Sequence, residues 1–321
     1  MVKVSTSKVN PLIHGESPVG FSKVLYSFYT DHISQRNLEQ LLVKTFKQIN
    51  HTSEYKTNFW NSDSSLIASL EILDKNELIE TDLKNVLQNH NNALIKNLSF
   101  QKSNYSFEDT PFYIQLLLNR LRYTEVTDLN NKILYTQLAE NLIQQIEYSL
   151  ININVRSLQR HTLVLINLYK IGIYKVAIEN TLNHVVKQLE KTIHENEKIT
   201  LTLFNNLTIY PIICATICRK SKIDMLSITN NYIKNGVDSI NIENWQDNFY
   251  LFNTLIKMNT KFAQNKWNRL IENILEKEIK YVHENHQNLH DQIPHLLALT
   301  SISYHSPILN SWDEILLVPS Y

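Results

Sequence analysis

Glycine is nearly missing from this chain: four glycines and seven prolines in 321 residues leave few of the tight turns that a hairpin-rich β protein needs. Cysteine is as scarce. Cys214 and Cys218 stand four apart in IYPIICATIC, a spacing that puts both on one helical face instead of in a disulfide framework. A pair of buried, reduced thiols accounts for them, with a redox or metal role as the other reading. There is no excess of charge of either sign, since 31 Lys and Arg balance 31 Asp and Glu and the basic residues are scattered. The long-range field that draws a protein to nucleic acid is therefore absent, and no nucleic-acid partner is expected. No apolar run approaches the roughly 18 residues of a membrane span, and MVKVSTSKVNPLIHGESPVG has no continuous apolar stretch of the signal-peptide kind. The expected location is the cytoplasm, with no membrane span. Nor is there a Pro-, Gly- or Ser-rich linker or a shift in composition, so residues 1–321 are read as one domain.

What is present is helical periodicity almost everywhere. Phe21, Val24, Leu25 and Phe28 follow the i, i+3, i+4, i+7 pattern, as do Trp267, Leu270, Ile271 and Ile274. Leu83, Val86, Leu87 and Leu94 make another stripe, and Leu182, Val185, Val186 and Leu189 a further one. Each set lies along one face of a helix, and the chain reads as all-α.

A faint repeat runs through it. A small or polar residue precedes an apolar helix at Gly15, Ser62, Asp109, Ser157, Asn206, Asp247 and Gln292, so successive starts stand 41 to 49 residues apart. That interval holds two helices and two short connections. The residue types fit as well, because Ser, Asp, Asn and Gly satisfy or tolerate the unpaired N–H groups at a helix start. Between these helices lie more strongly amphipathic ones at 36–49, 81–98, 132–150 and 174–191. The alternation predicts seven hairpins in an inner and an outer layer. An open α-solenoid accepts the same spacing as a closed ring.

Several segments resemble the lanthionine synthetase C-like family, whose members are α/α toroids of seven inner and seven outer helices. Gly15-Glu16-Ser17-Pro18-Val19-Gly20-Phe21 resembles the first of the family's Gly-x-x-Gly inner-helix motifs, with Pro18 in place of the second glycine. Residues 59–87 are similar to the second hairpin, 111–121 to the third inner helix, and 164–173 to the end of the fourth with its turn at Gly172. Ser311-Trp312-Asp313-Glu314-Ile315-Leu316-Leu317 is similar to the closing Trp-x-x-x-Leu-Leu stretch. The resemblance implies a toroid. It also implies a zinc-dependent cyclase that adds peptide cysteine thiols to dehydrated serine or threonine, the metal being held by two cysteines and a histidine.

This sequence departs from that pattern at every ligand. Leu203-Phe204-Asn205-Asn206 stands in the slot of the family's Trp-Cys-Tyr-Gly, and Trp245-Gln246-Asp247 in that of its Cys-His-Gly. The slot of the fourth-helix histidine falls near Arg156, that of the acidic residue before the third inner helix near Tyr105, and that of the arginine ahead of the first cysteine near Thr200. No family-type zinc site and no cofactor is expected. The reading that follows is a cyclase-like protein that binds a ribosomally made precursor peptide, or the dehydratase or other enzyme that matures it. The alternative is a metal-independent cyclase or other peptide-modifying enzyme in the same cavity, with Tyr105, Asp109 or Arg156 as acid or base. A carbohydrate-active or purely structural toroid is a third class.

Other constellations have plainer explanations beside the chemical ones. His283, His286, His290 and His295 could hold a divalent ion, yet a solvated polar turn explains them. Cys214 and Cys218 with His161 would make a thiol and base, although nothing in the sequence brings them together. Glu108 and Asp109 could share acid–base work at the start of the third inner helix, where helix capping needs an acid in any case. The aromatics Phe59, Trp60, Tyr105, Phe107, Trp245, Phe249 and Tyr250 fall near inner-helix starts. Of these, Trp60, Phe107, Trp245 and Tyr250 are the candidates for peptide binding, the other reading being that such rings fill a cavity.

Overall fold

The computed structural model describes residues 24–25, 27, 35–51, 59, 62–80, 83–99, 107–121, 129–151, 158–195, 199–236, 245–261 and 267–285. Among the described residues there are twelve α-helices of the chain's main run and no strand. They are α1 (Gln35–His51), α2 (Asp63–Lys75), α3 (Lys84–Ser99), α4 (Thr110–Leu121), α5 (Leu129–Ile151) and α6 (Leu158–Lys170). The second half continues with α7 (Lys175–Glu195), α8 (Leu201–Leu207), α9 (Tyr210–Thr216), α10 (Met225–Gly236), α11 (Trp245–Lys261) and α12 (Asn268–Asn285). No helix of the described residues is long and apolar enough to cross a membrane. The chain forms two compact units, one with α1, α2, α3 up to Ala93, and α12, the other with the rest of α3 and α4 to α11.

In the second unit the helices separate into two kinds by burial. Residues 111–118 of α4, 158–166 of α6, 203–207 of α8 and 250–255 of α11 are buried without a break, so these helices are covered on all sides. By contrast α5 buries one stripe, Leu134, Leu138, Leu142 and Ile146, and α7 another, Ile178, Leu182, Val185, Val186 and Leu189. Met225, Thr229 and Tyr232 form the corresponding stripe of α10. The amphipathic pattern of the sequence is thus the signature of helices with one wet face. Neighbour relations agree: α4 packs on α6, α6 on α8 and α8 on α11, while α5 and α7 pack on each other and on α6, and α10 packs on α8. An inner row α4, α6, α8, α11 is therefore backed by an outer row α5, α7, α10.

The repeat is written into the cross-links of the inner row. Asn167 Nδ2 donates to Gln115 Oε1 at 2.8 Å across a separation of 52 residues. Gln159 N donates to Asn206 Oδ1 and Gln159 Nε2 to Thr208 Oγ1, across 47 and 49 residues. Each bond joins one hairpin to the next, at close to the interval that the capping residues predict. The smaller unit shows the same division, since α2 is buried along 64–70 and packs on α1, which exposes most of its length.

The scarcity of glycine has a direct structural consequence at the helix ends. Helix α6 stops at Gly172, whose φ of 88° is left-handed. Ile173 N reaches back to Leu168 O at 3.1 Å and Gly172 N to Tyr169 O at 3.0 Å, the paired bonds of a Schellman cap. Two other helices build that cap without glycine. Glu77, at φ 56°, ends α2 with Leu78 N on Leu73 O at 2.9 Å, and Cys218, at φ 53°, ends α9 with Arg219 N on Cys214 O at 2.8 Å. A residue with a Cβ is disfavoured in this conformation by about 1–2 kcal/mol.

Two expectations need correction here. Cys214 and Cys218 do not share a buried helical face: the helix ends at Thr216, the left-handed turn points Cys218 outward, and Cys214 is buried while Cys218 is exposed. The fifth inner helix does not begin at Asn206 either. The helix that packs on α6 and α11 is α8, which begins after Thr200, whose hydroxyl accepts from Leu203 N at 3.2 Å. Pro211 then forbids continuation, because it has no N–H to offer Leu207 O and its ring meets that carbonyl. The chain restarts as α9 and packs on α7 instead. The expected outer helices lie within a few residues of α1, α3, α5 and α7, and Ser62 caps α2 by accepting from Ser65 N at 3.4 Å.

The cap geometry yields a paired prediction. Cys218→Gly and Glu77→Gly should each raise stability, the relief of the left-handed strain exceeding the extra unfolded-state entropy by roughly 0.5–1 kcal/mol. Gly172→Ala should lower it by about 1 kcal/mol through φ alone, since an added Cβ meets nothing nearer than Lys175 Cε at 3.9 Å. Denaturant midpoints moving the other way would contradict this account.

Candidate functional site

The N-terminal halves of the inner helices converge on Arg160. This residue sits in the first turn of α6 and is 3% exposed. Its guanidinium carbon lies 5.3 Å from the ring centroid of Phe112, in the first turn of α4, and 5.7 Å from that of Tyr250, in the second turn of α11. Side chains from the first two turns of three helices thus meet at one cation. Around it the inner row carries Gln159, His161, Asn205, Asn206 and Thr208, all buried. Covering His161 is Phe107, with ring centroids 4.6 Å apart and planes tilted by 33°.

Arginine remains protonated at any ordinary pH, and isolating such a charge from water costs several kcal/mol unless it is paired. Two cation–π contacts return only a few kcal/mol. Among the described residues no carboxylate pairs with Arg160, and its Nε has no hydrogen-bond partner. The interior of this unit therefore holds a positive charge that its own described side chains do not neutralise.

On the far side of Phe107 an open cleft of about 410 Å³ is formed by α4, α5 and the end of α3. Phe107, Ile114, Leu138, Leu142 and Tyr148 supply its apolar wall, and Asn141, Gln144 and Gln145 its carboxamides. Tyr148 is 73% exposed, and Ile151 one turn further along α5 is 84% exposed. Gln145 Oε1 is buried without a hydrogen-bond partner among the described residues.

The residues singled out in the sequence are distributed as follows. Phe107 joins the cleft to His161, and Tyr250 is 4% exposed beneath Arg160. Asp109, immediately before α4, is buried, with its carbonyl accepting from Phe112 N at 3.0 Å. Trp245 is the first residue of α11, and its side chain lies outside the described set. Tyr105, Arg156 and Trp60 lie outside the described residues, as do His286, His290, His295 and the closing segment 311–317. His283 belongs to the last turn of α12 and not to a loop. Arg160 is not among the residues that the sequence singles out, and His161 enters there only as a base for Cys214 and Cys218. The signal for Arg160 is a charged residue inside VRSLQRHTLVLINLY, a segment of the inner layer, where every face is buried.

The zinc implied by the family resemblance does not fit these residues. In the slot of the first cysteine and its neighbours, Leu203, Phe204, Asn205 and Asn206 are all buried in α8, and the Phe204 ring is stacked on Tyr232 at 4.5 Å. An aromatic ring and carboxamides do not replace a thiolate and imidazole as zinc donors. Among the described residues no three His, Cys, Asp or Glu side chains come together.

Two further polar clusters stand apart. In the smaller unit Ser64 Oγ and His90 Nε2 are 2.8 Å apart, the arrangement by which an imidazole activates a hydroxyl, but both side chains are buried between α2 and α3. In the larger unit Glu190 of α7 accepts from Tyr210 OH at 2.8 Å and from Arg219 Nη2 at 3.0 and 3.1 Å. Lys222 N donates to the same Tyr210 hydroxyl at 3.0 Å. This network ties α9 and the strand of loop after it to α7. Burial raises the pKa of Tyr210 and of Cys214 alike.

No protein-family profile, curated protein or solved structure matches this chain.

The thiols give a pH-dependent test of the α9 geometry. Burial raises the Cys214 pKa above its ordinary value, so its thiolate is depleted at pH 8, whereas Cys218 is exposed. An alkylating reagent at pH 8 should modify Cys218 at least about tenfold faster than Cys214, and Cys218→Ser should abolish the fast phase. Equal rates for the two thiols in the native chain would refute the buried placement of Cys214.

Proposed function

We propose that this chain is a lanthionine synthetase C-like α/α toroid without the family's metal chemistry, and that it holds a ribosomally made peptide for the enzymes that mature it. The observation that carries the reading is the cleft beside Phe107. Its volume suits a few residues of extended peptide, Phe107 and Tyr148 provide rigid aromatic anchors, and Asn141, Gln144 and Gln145 provide donors and acceptors for a peptide backbone. The alternating buried and amphipathic helices of the larger unit support the hairpin-repeat part of the reading. The chemistry of the slots at Leu203 to Asn206 supports the non-zinc part.

Two measurements test it. Elemental analysis of the purified full chain should find far less than one zinc per molecule after dialysis, and one tightly held zinc would overturn the metal-free assignment. Selection from a displayed random-peptide library should enrich binders whose affinity falls at least tenfold in Phe107→Ala and in Tyr148→Ala, a loss of ~1.4 kcal/mol or more. Enrichment no greater than on an unrelated helical protein would remove the peptide-binding reading.

A further inference from the structure

We infer that Arg160 is the receptor for a carboxylate group of a bound ligand. Phe112 and Tyr250 lie against the guanidinium at 5.3 and 5.7 Å. The guanidinium lies over both ring faces, and a ring face, unlike an oxygen, offers its planar fork of N–H donors no lone pair. Among the described residues no carboxylate and no hydrogen-bond acceptor for Nε meets that fork. A second unmet group stands on the same helix as one of those rings. Thr254 follows Tyr250 by four residues on α11, hence on the same face, and its Oγ1 is buried with no hydrogen-bond partner among the described residues.

The composition of the site selects the anion. Besides Arg160 the inner row carries His161, covered by the Phe107 ring, and neutral amides and a hydroxyl, Gln159, Asn206 and Thr208, of which Gln159 is already bonded to the other two. One guanidinium balances one carboxylate, and the fork of donors matches its two oxygens. A phosphate monoester, with close to two negative charges, would bring excess charge into the same enclosure. For a peptide, the carboxylate is either the C-terminus or an Asp or Glu side chain. Only this last identification rests on the proposed function; the carboxylate receptor does not.

Thermal unfolding of the full-length chain tests both levels. The probes are sodium acetate, inorganic phosphate, N-acetylphenylalanine, its amide, and the α-amide of N-acetylglutamic acid, each compared with chloride at equal ionic strength. Acetate should raise the midpoint saturably in the wild type and leave Arg160→Gln unmoved. N-acetylphenylalanine or the glutamic α-amide should act at a concentration at least tenfold below acetate, and whichever is stronger names a terminal or a side-chain carboxylate. The amide of N-acetylphenylalanine should do nothing. Should Arg160→Gln not fold, Arg160→Lys, which keeps the charge and loses the fork, is expected to weaken the acetate response at least tenfold. Absence of any acetate effect beyond chloride, a response unchanged in the folded variant, or a larger response to phosphate would each overturn the proposal. If acetate acts through Arg160 and neither amino-acid derivative surpasses it, the carboxylate receptor stands and the peptide reading loses its support.

Discussion

Burial of α6 on every side is the constraint from which the rest of the larger unit follows. A helix with one wet face can leave its polar groups to water; a helix packed against α4, α5, α7 and α8 at once cannot. Each polar side chain on it must find a protein partner or retain an unmet bond, at a cost of roughly 1–3 kcal/mol for an unsatisfied neutral group. Gln159 meets this demand by bonding twice into the next hairpin, and Asn167 by bonding into the previous one. These bonds also fix the register of neighbouring hairpins, because a sliding of one past the next would break them all. Hydrophobic contacts alone, being non-directional, would specify the register less sharply.

The outer layer was legible in the sequence because its demand is periodic. Leu182, Val185, Val186 and Leu189 face one way on α7, and all four are buried. The inner layer was legible only as apolar runs behind capping residues, since a helix buried all round has no polar face to mark its phase. The fifth inner helix is illegible for that reason: LTLFNNL is short and carries no stripe, whereas IICATIC looks more like a core helix. Pro211 was the available clue, as the residue that forces the break between α8 and α9. The helix ends at Glu77 and Cys218 were illegible for another reason. Sequence signals for a left-handed cap rest on glycine or asparagine, and this chain uses an acid and a thiol.

The residues of the candidate site divide in the same way. Phe107 and Tyr250 are aromatics near helix starts, and they lie against His161 and Arg160 of α6 respectively. Position along the repeat was sufficient for that. Arg160 required knowing which face of α6 was covered, and the sequence held only the hint that none was free. The departure of Leu203 to Asn206 from a zinc-binding pattern was, by contrast, readable without any structure, because donor chemistry depends on residue type and not on packing.

These strands meet in the charge balance of the interior. The chain as a whole is neutral, so Arg160 is not the residue of a generally basic surface but a local imbalance, enclosed where counter-ions reach it poorly. Rings and amides that merely fill the interior would leave no role for an isolated cation, and an apolar side chain beside Phe112 and Tyr250 would pack there at lower electrostatic cost. An arginine flanked by two aromatic rings at the meeting point of three inner-helix starts is understandable as half of an ion pair whose other half arrives from outside. On that argument the inner layer is more than a packed core: its polar centre has a preference for the sign of charge it admits.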